Sequence, residues 1–234
     1  MKTTYSHEEL MDYLNCPFRY KLYHIDGVRR PIARRTILTQ IYMVSFMAAI
    51  NENLSKEQHM DMVMSMLDEH LVDFGYQLPY LKETADIIVT IFHRFTKLEF
   101  PRGPYTFGIP ISYDMDGITI TSKIPIVAGT VAIGFEVGIA RTYQPDPHGM
   151  HHPLVLLCGG YSEYNSLEIQ LTRTSRPVKY VKGPRTFMKK IYRRVMGDVI
   201  RSIRCGAFHR INPDLPMCAH TRCEYRKLCR GGKK

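Results

Sequence analysis

Pro216-Met217-Cys218-Ala219-His220-Thr221-Arg222-Cys223-Glu224-Tyr225-Arg226-Lys227-Leu228-Cys229 sets three thiols in a C-x4-C-x5-C pattern near the end of a 234-residue chain. Structural zinc ions and iron–sulfur clusters usually take four protein ligands, so three clustered thiols make an incomplete site. The fourth candidate is Cys16, in Leu14-Asn15-Cys16-Pro17-Phe18-Arg19-Tyr20. It completes the set only if the two ends of the chain meet in space. The expectation is that they do, and that the metal fastens the fold shut.

Clustered cysteines in a short secreted chain usually form disulfides. Here the opening Met1-Lys2-Thr3-Thr4-Tyr5-Ser6-His7-Glu8-Glu9 is polar, without the apolar core of a signal peptide. No apolar run is long enough to span a bilayer. These features predict a cytoplasmic, reducing location with no membrane association, where thiols favour metal over disulfide. Spacing alone does not separate zinc from iron. Of the two other thiols, Cys158 sits in the apolar run Leu154-Val155-Leu156-Leu157-Cys158 and reads as a buried structural cysteine. Cys205 ends a helical pattern and is a spare ligand at most.

The chain is 44% hydrophobic, enough for a sizeable core, and its net charge is +10. The charge is localised. From Lys182 to Lys234 there are fifteen Lys and Arg against Asp198, Asp214 and Glu224, more than the excess of the whole chain. A concentrated positive field is the footprint of phosphate binding, and nucleic acid is the partner it predicts.

Periodicity divides the chain further. Ser6 to Glu9 reads as a capping box, with Ser6 as N-cap and Glu9 reaching back. Pro17 suits the first turn of a second helix. Cys16 then lies at a helix–helix junction, where free backbone N–H groups stabilise a thiolate. Residues 33–98 read as three helices, the second opened by Ser55-Lys56-Glu57-Gln58, with methionines as adaptable core filling. At residues 101–104 the period changes to two. Residues 105–113, 118–127 and 131–137 form a three-stranded meander with Asp114-Met115-Asp116-Gly117 as its first turn. Residues 154–158, 167–172 and 177–181 read as further strands. A basic helix runs from Pro184 to about Cys205, with an apolar stripe of Phe187, Ile191, Val195, Val199 and Ile203. Lys189, Lys190, Arg193, Arg194, Arg201 and Arg204 fall largely on its other face and are the candidate nucleic-acid contacts.

These residues carry a family likeness. A Ser-initiated helix precedes Cys16-Pro17 and Tyr20. Helices, a β-meander, further strands and a helix follow. Gly206-Ala207-Phe208 then leads to Asn212-Pro213, Cys218, Cys223-Glu224-Tyr225 and Leu228-Cys229. The order resembles the iron–sulfur branch of the PD-(D/E)XK nucleases, the RecB-like and CRISPR-associated exonucleases. It is specific in sequence at the two termini. The resemblance implies an α+β protein with an α/β core: an N-terminal helical region, a central mixed sheet flanked by helices, and a Cys-rich tail packed on the Cys16 segment. It divides the chain into a cluster-binding segment (1–30), a helical region (31–100), the nuclease-like core (101–205) and a cluster-binding tail (206–234), one integrated domain. It also implies that Cys16, Cys218, Cys223 and Cys229 hold a 4Fe–4S cluster, with zinc as the alternative.

The departures concern catalysis. In that family the second meander strand carries an Asp and the third an Asp/Glu-x-Lys. The carboxylates hold Mg2+ or Mn2+ and the lysine helps position water. Apolar phase puts Pro125 at the first acid, Gly134 at the second and Glu136 at the lysine, and no Gln-x-x-x-Tyr motif follows. Hard divalent ions need carboxylate oxygens, so catalytic Mg2+ or Mn2+ is expected to be absent. The expected protein is a pseudo-nuclease that binds nucleic acid within a larger machine, alongside protein partners. The rival is a metal-dependent DNA exonuclease with displaced acids, drawn from Asp114, Asp116, Glu136 and Glu168 with Lys123 as a migrated base partner. For Asp114 and Asp116 turn chemistry is the simpler role. His148, His151 and His152 read as a solvated loop, not as metal ligands. A third class is a module that docks its basic helix on an acidic protein.

Overall fold

The computed structural model describes residues 2–28, 34–71, 78–96, 101, 104–138, 149–170, 178–181, 189–210 and 225–229. They form a mixed α+β protein of helices and strands, as the change of period predicts. Contacts divide the chain into two units, one from Met1–Pro31, Pro110–Ser122 and Thr186–Lys234, the other from Ile32–Ile109 and Lys123–Arg185. Among the described residues no helix is long and apolar enough to cross a membrane.

The first unit opens with a strand the sequence does not announce, β1 (Thr4–Ser6), too short for alternation to show. It runs parallel to the start of β3 (Ile118–Ala128), with Tyr5 opposite Ile120. Ser6 then caps α1 (His7–Asn15), its hydroxyl accepting from the Glu9 N–H at 3.0 Å. The reciprocal half of the expected capping box is not made. The Glu9 carboxylate accepts instead from Lys2 Nζ at 2.6 and 2.7 Å and from the Tyr20 hydroxyl at 2.8 Å. A cation is a stronger partner for a carboxylate than one amide. The short helix α2 (Pro17–Tyr20) carries Pro17 in its first turn, and the chain then widens into a π turn over Lys21–Ile25. β2 (Tyr105–Met115) pairs with β3 through a turn in which Asp116 and Gly117 both have positive φ, 52° and 77°. That is the Asp-Gly signature of a two-residue hairpin.

The basic helix α7 (Lys189–Arg204) packs on α1, but its stripe differs from the expected one. Tyr192, Met196, Val199, Ile200 and Ile203 are buried, while Ile191 is 43% exposed and Val195 half-buried. Phe187 lies outside the described residues. Strict four-residue spacing drifts about 40° per step around a helix of 3.6 residues per turn, so the expected row winds off the core. The observed steps of four, three and four stay on it.

The second unit stacks α3 (Arg34–Asn51), α4 (Lys56–Leu71) and α5 (Leu78–Phe95) around an apolar core. The Ser55 box is complete here, with Gln58 N–H donating to Ser55 Oγ and Ser55 N–H to Gln58 Oε1. The rest of β3 runs antiparallel to β4 (Val131–Gly138), β4 parallel to β5 (Glu163–Gln170), and β5 antiparallel to β6 (Val178–Val181). Ile126, Ile133, Leu167 and Ile169 join the helices in the core, and Met60, Met64 and Met66 pack against it as fillers.

One expected strand is a helix. Residues 154–158 belong to α6 (His151–Leu157) and its C-cap Cys158. A short apolar run suits a buried strand and a buried helix equally well, and Pro153 is tolerated in a first helical turn. His151 and His152 consequently lie on this helix and not in a solvated loop. His152 is buried, and both rings lie 5.5 Å from the Tyr164 ring. His148 is outside the described residues.

Candidate functional site

The expectation that the chain ends meet is met in the first unit. Tyr13 Oη donates to the Ala207 carbonyl at 2.5 Å, and Arg204 to the Lys2 carbonyl at 2.9 Å. Tyr225 Oη, inside the cysteine tail, donates to the Val28 carbonyl at 2.9 Å and is buried. Phe208 stacks on Tyr20 and meets Tyr13 edge-on, and Arg210 lies 4.8 Å above the Phe18 ring. Sequence reasoning missed this aromatic clasp. Tyr20, Phe208 and Tyr225 stand among the residues that carry the resemblance, but their contacts appear only when residues some 190 positions apart are brought together.

Cys16 ends α1 and starts α2. Its sulfur accepts from the Arg19 N–H at 3.4 Å, so it is the N-cap of α2. The junction thus offers an amide donor to the sulfur, as a thiolate ligand needs. Asp12 beside it binds Arg19 at 2.7 Å and His24 at 3.0 Å. Cys229 ends α8 (Arg226–Cys229) and is half-buried. Cys218 and Cys223 lie outside the described residues. Among the described residues no group of three or more His, Cys, Asp and Glu is placed to share one ion. Cys205 is exposed, and Cys158 is half-buried in the second unit, where burial pushes its thiol up to about 11.

On α7 the six basic residues are all exposed. Arg193 reaches Asp116 of the hairpin turn at 3.7 Å, Arg201 pairs with Asp198, and Arg204 holds the Lys2 carbonyl. Lys190 and Arg194 have no hydrogen-bond or ion-pair partner among the described residues.

Pro125, Gly134 and Glu136, the positions the sequence resemblance sets against nuclease residues, fall in the second unit. Pro125 is half-buried on β3, and Gly134 is buried on β4. A side chain at 134 would run into Tyr164 of β5, with its Cβ 3.0 Å from Tyr164 Cζ and closer still to the hydroxyl. Tyr164 therefore fills the space that an acid at 134 would need, and the two positions offer a divalent ion no side-chain oxygen. Tyr164 also went unread in the sequence, because only the β4–β5 register reveals what it covers. Of the displaced candidates, Asp114 accepts from Thr119 Oγ1 at 2.7 Å beside the hairpin turn and Asp116 forms the turn itself, both in the first unit. Lys123 is exposed in the second unit. Glu136 and Glu168 are direct partners in the parallel β4–β5 register, and Lys179 of β6 is the partner of Glu168.

No protein-family model matches this sequence, and no curated protein does. Among solved structures it is similar to a putative exonuclease from Eubacterium rectale, with 12% identity and a TM-score of 0.58 over 94% of this chain and 89% of that one. A likeness to the structure of SSO0001 is weaker, with 11% identity and a TM-score of 0.40 over 86% of this chain and 77% of that one, and no argument rests on it. At this level of identity the likeness concerns the fold: the chain shares the α+β, nuclease-like fold of the Eubacterium rectale protein.

Proposed function

We propose that this chain is a nuclease-fold protein that has lost hydrolysis and binds nucleic acid, DNA above all, as an accessory or structural component of a larger nucleic-acid-processing complex. The observation that carries the reading is the exposed face of α7, where Lys190 and Arg194 have no partner of their own among the described residues. Phosphates complete such a face, and the released counterions drive the binding. The likeness to a fold described as an exonuclease agrees with that class of ligand. Loss of hydrolysis is supported by Pro125, by Gly134 and by the Tyr164 hydroxyl above it. Cys16, Cys218, Cys223 and Cys229 would hold a 4Fe–4S cluster, with zinc as the alternative occupant. The Arg19 amide on Cys16 and the pinning of Tyr225 support that assignment. The bound group would supply a cross-link between the chain ends.

A second reading, an active Mg2+- or Mn2+-dependent DNA exonuclease with shifted acids, is favoured by the register partnership of Glu136 and Glu168. Two measurements separate the readings. The first is a DNA titration across salt, with Lys189, Lys190, Arg193 and Arg194 changed together to Glu. Binding should fall steeply with salt in the parent and vanish in the folded variant. Binding of an acidic protein, with no DNA binding at any salt concentration, would point to a protein-docking module instead. The second is a cleavage time course in Mg2+ and Mn2+, where no hydrolysis above background is expected. Cleavage that Glu136→Ala or Glu168→Ala abolishes would establish the shifted site.

A further inference from the structure

Gly197 sits near the middle of α7, in an ordinary helical conformation. Glycine in a helix interior is costly, because it surrenders more backbone freedom than any other residue. A helix usually keeps one where a neighbour leaves no room for a Cβ. Here a Cβ at 197 would meet nothing within 4 Å. The described protein therefore has no steric need for glycine at this position.

The surroundings are charged. Arg193 and Arg201 stand four residues to either side of Gly197, and Arg194 three before it, all exposed. Residues at these spacings are neighbours on a helix surface, roughly 5–6 Å apart. Gly197 itself is half-buried, and its open side is a stretch of helix backbone without a side chain, framed by three arginines. The acids on this face, Asp198 and Asp116, are held by Arg201 and Arg193. An anionic chain can approach the helix axis more closely here than at any position with a side chain.

We infer that Gly197 is the point where a nucleic-acid phosphodiester backbone comes flush with α7, with Arg193, Arg194 and Arg201 closing around the phosphate. The inference rests on the nucleic-acid reading above and adds its contact point. Guanidinium groups suit it, because their planar forks bind phosphate oxygens in pairs.

The test is Gly197→Ala in the full chain, read by thermal melting and by titration with a fluorescent oligonucleotide, single-stranded and duplex. Alanine is the better helix former and has open space, so the melting temperature should rise by about 2–4 °C. The same methyl group should weaken oligonucleotide binding about tenfold, and Gly197→Leu should weaken it further. The salt slope should stay unchanged, because no charge has been removed. A stabilised variant that binds as tightly as the parent overturns the inference. A lower melting temperature overturns it too, because the glycine would then have a reason inside the protein. If the parent binds neither oligonucleotide at any salt concentration, the nucleic-acid reading fails first and this contact fails with it.

Discussion

The two units combine apolar burial and long-range polar pairing in different proportions. In the second, helices and sheet bury a continuous apolar core in which Val63, Leu67, Leu71, Ala85 and Ile88 are fully enclosed. The first also buries apolar residues such as Leu10, Ile120, Met196 and Ile200, and adds polar contacts between distant parts of the chain: His7 to Tyr192, Glu8 to Ser122, Tyr13 to Ala207, Tyr225 to Val28. An apolar core tolerates redistribution as long as volume is kept. A set of paired polar groups does not, because removing one partner strands the other. The candidate metal and nucleic-acid residues are concentrated in the unit where these long-range pairs occur.

The largest expected effect breaks the first unit alone. Replacing any one of Cys16, Cys218, Cys223 or Cys229 by Ser should sharply lower yield and melting temperature, since a shared cluster closes nearly the whole chain into a loop. Cys158→Ser should cost far less. Iron, sulfide and zinc analysis of anaerobically purified protein checks the occupant, with about four irons per chain expected. Equal tolerance at all five positions would dissolve the shared site.

An intermediate effect belongs to the second unit, where the core contains a flaw. His59 is 1% exposed, and neither ring nitrogen has a hydrogen-bond partner among the described residues. Burial, with His93 contributing, holds its imidazole down to about 4 from the ordinary 6.5. The folded state therefore takes up this proton later than the unfolded chain does on acidification. Stability should be full above pH 6.5 and should fall as the pH drops from 6.5 toward 4. His59→Leu should flatten that part of the melting-temperature profile and raise stability at neutral pH, because it removes two stranded nitrogens. A parent profile flat over this range would refute the account.

The smallest effect sharpens the contrast. Tyr13→Phe keeps the ring against Tyr20 and Phe208 but removes the bond to the Ala207 carbonyl. It should cost about 1 kcal/mol in chemical denaturation. Faster amide exchange in residues 205–210, with none in α4, would locate the loss in the first unit.

Much of this was legible in the sequence. The Asp116-Gly117 turn, the two long meander strands, the Ser55 box and the capping sulfur of Cys16 each follow from local rules, because turn and cap chemistry act within three or four residues. Glu9, α6 and the face of α7 were misread for a common reason. Each offered a local pattern with more than one solution, and a distant partner chose between them. Lys2 and Tyr20 took the Glu9 carboxylate, residues 151–157 packed as a helix on β5 against the Tyr164 ring, and packing on α1 turned α7 by one position.

The sequence by itself determined the thiols, the excess of positive charge after residue 182, and the absence of acids at 125 and 134. These are matters of which atoms the chain possesses. Only the tertiary structure decided that Tyr13 and Tyr225 pin the two ends, that Tyr164 closes the space over Gly134, and that a Cβ at Gly197 would meet none of the described residues within 4 Å. Those facts depend on what lies beside a residue in space. Contacts between positions thirty to nearly two hundred residues apart leave no periodicity or spacing for a sequence to display.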